Sequence, residues 1–70
     1  MNGMKQFVGR QVLVSTSDGG AIQGTLWRVR RDGIELRKAR EAVRGVELGG
    51  IIWLPSHSVL QIQVTAGGES

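Results

Sequence analysis

A chain of 70 residues with no cysteine, a single histidine and a formal charge of +3 is one small domain without a disulfide framework or a His-and-acid cluster to hold a structural metal. A domain this short buries only about 60% of the surface its unfolded chain exposes, so with neither staple present oligomerisation is the expected source of stability. The longest apolar run, Ile51-Ile52-Trp53-Leu54, is far too short to span a membrane, and the N-terminal residues lack the apolar core of a signal peptide, so no membrane partner is expected.

Residues 2–8 are expected to form a helical turn or two. Asn2 is placed to cap it, and Met4, Phe7 and Val8 make one apolar stripe. So short a helix persists only if it lies on the rest of the fold, and Gly9 ends it. The stretch from Gly9 to Leu36 then predicts three short β-strands joined by two Asp-Gly turns. Val12 and Val14 alternate with Leu13 and Ser15 up to Ser17-Asp18-Gly19-Gly20; Ile22, Gly24, Leu26 and Val29 follow up to Arg31-Asp32-Gly33; Ile34-Glu35-Leu36 is the third. Asp-Gly supplies the positive φ of a tight hairpin, and Gly24, in mid-strand, is where the sheet is expected to bend. Trp27 shares a face with Gln23 and Thr25, opposite Leu26, and so projects from the core either as a lid on the N-terminal helix or as an interface anchor.

Segment 37–50, RKAREAVRGVELGG, has helix-favouring residues but is broken by Gly45, Gly49 and Gly50. It is expected to be a charged, extended connection, with strand character returning at Val46-Glu47-Leu48, and the place for a variable binding function. A fourth strand, Ile51 to Leu54, stops at Pro55, and Ser56-His57-Ser58 makes a tight turn. The last strand alternates Leu60, Ile62 and Val64 against Gln61 and Gln63. The expected fold is all-β: a small, five-stranded, strongly bent antiparallel barrel with a short N-terminal helix, in one domain over residues 1–64. Residues 65–70 form a tail that is flexible by composition.

Seven of the nine basic residues fall between positions 28 and 44. Such a cluster is the electrostatic footprint of a phosphate backbone or another acidic surface, or it is a solvated hairpin kept from aggregating by its charges. Arg28, Arg30, Arg31, Arg37, Lys38 and Arg40 are the candidate contacts. Nothing points to catalysis. His57 lies between Ser56 and Ser58 in a surface turn, without the carboxylate and oxyanion hole a nucleophilic site needs. No Gly-Lys-Ser/Thr follows the glycine pairs, and Asp18 and Asp32 serve their turns. The chain is expected not to be an enzyme and to use no cofactor or small-molecule substrate.

Over residues 4–64 the pattern resembles the Sm-like (LSm, Hfq-type) small β-barrel family, with SH3-like barrels the competing assignment. The first Sm motif corresponds to Gly9, Val12, Val14, Asp18, Gly19, Gly24, Leu26, Ile34 and Leu36, and the second runs from Ile52 to Ile62. The resemblance implies a homo-oligomeric ring in which the fourth strand of one subunit pairs with the fifth of the next. Its interface residues would be Ile51, Ile52, Trp53, Leu54, Leu60, Ile62 and Val64, with Trp27 as an anchor. The family binds RNA through an Asp-x-x-x-Asn segment and an Arg-Gly pair. Here the first region reads Arg30-Arg31-Asp32-Gly33 and the second Pro55-Ser56, so RNA binding is not carried over. A looser resemblance, to short Sm-like or SH3-like open reading frames of actinobacterial phages, implies a virion or assembly component, placed in a phage particle or in the cytoplasm of a bacterial host. The leading functional expectation is therefore a structural subunit that self-associates or decorates a larger assembly. The alternative is an Sm-like ring that binds nucleic acid non-specifically through its basic hairpin. A peptide-binding SH3-like module would need clustered aromatics, and one Phe and two Trp are few.

Overall fold

The computed structural model describes residues 2–65; the predicted cap at the Asn2 side chain and the tail over 66–70 lie outside the described residues. A short 3-10 helix, Asn2–Phe7, leads into β1 (Gln11–Thr16), β2 (Ala21–Arg30), β3 (Gly33–Glu41), β4 (Val46–Glu47) and β5 (Ile51–Pro55). A second 3-10 turn, Ser56–Ser58, connects β5 to β6 (Val59–Val64). All pairings are antiparallel, in the order β6-β1-β2-β3, with β3 carrying β4 at one end and β5 along the rest. Alternation in β1 sends Val12 and Val14 inward, where they meet Leu26, Ile34, Leu36, Ala39 and Leu54. Met4 and Phe7 pack against this core, as the predicted stripe requires, while Val8 stays exposed.

The sheet curls where β2 and β3 slip register. Gln23 pairs with Arg40 and Thr25 with Arg37, so Lys38 and Ala39 together oppose Gly24. Lys38 takes a left-handed φ of 52° there. A Cβ on Gly24 would lie 3.0 Å from the Arg37 carbonyl oxygen and 3.2 Å from the Ala39 Cα. The predicted hinge is thus a bulge in which β3 rides over a strand that has no side chain at that point. The second slip falls between Leu26 and Arg28, and its extra residue is Trp27. Leu26 points in, Trp27 and Arg28 both point out, and Val29 returns to the core.

Three expectations change. Segment 37–50 is not an extended connection: β3 continues to Glu41, residues 42–45 turn, and the chain returns along it. Glu41 holds the turn, its carboxylate accepting from the Val43 and Arg44 N–H groups at 3.0 and 2.8 Å. The fourth strand is also longer than expected. β4 and β5 follow β3 as one interrupted strand, joined through the Leu48 N–H to the Ala39 carbonyl (2.9 Å) and broken only at Gly49-Gly50. Six short strands thereby make the five of the expected barrel. The other change is at the Asp32-Gly33 turn. Gly19 adopts the positive φ expected of Asp-Gly, but Gly33 does not. Gly33 is glycine because the Leu54 carbonyl and the Trp53 ring sit where its Cβ would be.

Candidate assembly edges and basic surface

Antiparallel pairing leaves the interrupted β4–β5 strand and β6 with a partner on one side only. Among the described residues, β6 pairs with β1 alone and β5 with β3 alone. The two are joined through Ser56–Ser58 but form no ladder with each other, so the sheet is open along this line. Alternation divides the side chains predicted for an interface. Ile51 (56% exposed), Trp53 (40%) and Leu60 (69%) stand outward on the two edges. Ile52, Ile62 and Val64 are half-buried against the core. Leu54 is in the core itself and offers an edge only its backbone. Trp27 stands apart from this line. It is on the central strand β2, with β1 on one side and β3 on the other.

The predicted basic residues separate into groups. Arg30 pairs with Glu35 (Nε to Oε2, 3.3 Å), and Arg40 lies 3.9 Å from Glu47. The Arg40–Glu47 pair is largely exposed and holds little energy, whereas in the Arg30–Glu35 pair the carboxylate side chain is mostly covered. Arg28 joins Arg30, Lys5, Val8 and Val29 around a groove of about 420 Å³ beside Trp27. Lys38 and Arg40 line a second groove of about 450 Å³ with Glu47, Gly49, Gly50 and Ile51, next to the β5 edge. Arg37 lines this second groove as well, and its guanidinium carbon is 4.2 Å from the centre of the Trp27 ring. Arg31 is exposed at the β2–β3 turn. That turn meets the 56–58 turn, because the Ser56 N–H donates to the Asp32 carbonyl at 2.7 Å. The structure therefore places side by side the two segments that stand where the family's RNA-binding motifs would fall, and neither motif is present in them. His57 stands exposed beside them.

At the opposite hairpin, Asp18 accepts from the Thr16 hydroxyl (2.6 Å) and the Gly20 N–H (3.0 Å). These hydrogen bonds favour the charged carboxylate and lower its pKa from the ordinary 3.8, the Thr16 contact most. Thr16 is buried, so its hydroxyl needs this acceptor.

Neither a protein-family model nor a curated protein matches the sequence. Solved structures do match the fold. A heptameric archaeal Sm protein is similar over 93% of this chain and 98% of its own, with a TM-score of 0.78 and 25% identity. The SmAP1 heptamer of P. aerophilum is similar over 94% and 92%, at 0.80 and 26%. A novel Sm-like archaeal protein from Pyrobaculum aerophilum covers 91% of this chain at 0.82 and 23% identity, and this chain spans about half (49%) of its length. The chain has the Sm-like fold. The resemblance carried by its glycines, turns and alternating strands is borne out, and of the two barrels weighed from the sequence the Sm-like one is the match.

Proposed function

We propose that the chain is a non-enzymatic ring subunit, self-associating head to tail as β5 of one copy adds to β6 of the next. The observation that carries this is the pair of unpaired edges, one bearing exposed Ile51 and Trp53 and the other exposed Leu60. A lone subunit would present both edges as templates for uncontrolled pairing. Joining one edge to the other is a heterologous contact, which closes into a ring when the rotation between copies permits. That two similar structures are described as heptamers supports the same arrangement.

A second reading, that the ring binds nucleic acid without base specificity, is favoured by one observation. Among the described residues Arg28, Arg31 and Lys38 have no acidic partner, so their charge is available to phosphates. Light scattering of the purified protein at low and high salt, with the 260/280 nm absorbance ratio, tests both. A closed ring free of nucleic acid supports the assembly reading alone. A ring that carries nucleic acid and sheds it at high salt supports both. A monomer of 7.6 kDa at all concentrations overturns the ring.

A further inference from the structure

We infer that the groove beside β4 docks an extended segment of another protein, with apolar side chains at alternate positions and a lysine or arginine between them. This surface uses neither the β5 nor the β6 edge, so it stands apart from the proposed ring. It falls within segment 37–50, the stretch whose sequence marked it for a variable binding function.

The backbone of β4 is ready for a further strand. Among the described residues it pairs with β3 alone, so its other side is a free edge. The Leu48 N–H donates to the Ala39 carbonyl, which makes Ala39–Leu48 a bonded pair. Antiparallel bonding alternates, so at the next pair, Arg40–Glu47, the Glu47 N–H and C=O face away from β3. Those are the groups an added strand takes. The Glu47 side chain turns to Arg40. Val46 and Leu48, one residue to either side, therefore turn to the opposite face. There a groove of about 490 Å³ opens between β4 and the Asp18-Gly19-Gly20 turn. Val43 lines it with Val46 and Leu48, and all three are exposed. Apolar side chains gathered in the open and rimmed by polar ones mark a protein-binding surface.

Charge selects the occupant. Asp18, Glu41 and Arg44 complete the lining. The two carboxylates accept only from Thr16 and from backbone N–H groups, and neither has a cation within ion-pair distance among the described residues. Two carboxylates thus face one guanidinium, whereas the two grooves described above carry an excess of cations. A basic segment complements this lining and a phosphate backbone is repelled by it. A second copy meeting the same face would bring like carboxylates together.

The test titrates the full chain with short labelled peptides that alternate threonine with valine, leucine or isoleucine and carry lysine, glutamine or glutamate at the central groove-facing position. We expect the lysine peptides to bind and the glutamine peptides to bind about 1.5- to 5-fold more weakly, the range for one exposed ion pair. Glutamate peptides should bind more weakly still. Leu48→Asp should weaken every peptide by about 10-fold or more. Asp18→Asn keeps an oxygen to accept from Thr16 and Gly20, so it should remove part of the lysine preference and leave the glutamine peptides unchanged. Amide exchange at Glu47 should slow on binding, more than at Leu48, whose N–H is already bonded. Binding that Leu48→Asp does not alter, or equal binding of lysine and glutamate peptides, overturns the site. Binding without slowed exchange at Glu47 overturns the added strand. No binding by any of the peptides overturns the inference, and a solution mass that Leu48→Asp then halves would assign the groove to a second copy.

Discussion

Replacing Gly33 with alanine perturbs the point where the β2–β3 turn, β5 and Trp53 meet. A Cβ there would run into the Leu54 carbonyl oxygen and lie 2.7 and 2.8 Å from Cη2 and Cζ2 of Trp53. The ring can swing away. The carbonyl cannot move without disturbing the Gly33–Pro55 and Ile34–Leu54 pairs of the β3–β5 ladder. The φ of Gly33 is not positive, so the cost is steric rather than conformational. Overpacking costs about 1–3 kcal/mol, and the reduced freedom of the unfolded chain offsets about 0.4–1 kcal/mol of it. Because a backbone atom is struck, the upper part of the range applies, leaving roughly 2 kcal/mol net. Gly24→Ala meets its nearest backbone atom at 3.0 Å, a milder contact, and should cost about half as much. In a domain of this size each kcal/mol moves Tm by about 4–8 °C, so Gly33→Ala should melt roughly 8–16 °C below the wild type. Circular-dichroism melts at one protein concentration make the measurement, since assembly makes Tm concentration-dependent. A drop under about 2 °C, or a larger loss for Gly24→Ala than for Gly33→Ala, would refute the close approach of Trp53 and Leu54 to the turn.

Other perturbations address the remaining elements. Asp18 has a lowered pKa in the fold, so its hydrogen bonds stabilise above the unfolded-state pKa of about 3.9 and that contribution is lost as pH falls through the folded value. Melts from pH 7 down to pH 2 should therefore show a shallower acid decline for Asp18→Asn than for the wild type. Glu41→Ala removes the acceptor of two turn N–H groups and should cost about 1 kcal/mol, with faster amide exchange at Val43 and Arg44. Leu60→Asp, at a site 69% exposed on β6, should leave the subunit folded while lowering the solution mass of the proposed ring to 7.6 kDa by light scattering.

The first half of the fold was legible because its signals are local. Asp18-Gly19, the Val12 and Val14 alternation and the mid-strand Gly24 each act within a few residues. β3 was read too short because the bulge breaks its period: Leu36 points in, Arg37 and Lys38 both point out, and Ala39 points in. Ala39 is also small and lies among charges, so nothing marked it as core. The run from Ile51 to Leu54 is apolar throughout and does not announce its inward face; pairing with β3 decides it and sends Leu54 to the core. That Trp27 faces outward was legible. Its stacking on Arg37 was not, since it depends on the register that sets Thr25 opposite Arg37. The contact between the Asp32 and Ser56 turns is likewise a product of the closed path of the chain.

The bulges at Lys38 and Trp27 have a consequence for polymer form. They set how far the sheet curls, and the curl sets the angle between the β5 and β6 edges. The edges themselves would join equally well at another angle, because the ladder is made of backbone groups. In the proposed ring, closure is therefore a property of bulge geometry rather than of the edge residues, and deleting Lys38 would change the pitch while leaving the contact intact. The same subunits would then stack into an open helix, a fibre built from the bonds that otherwise make a ring.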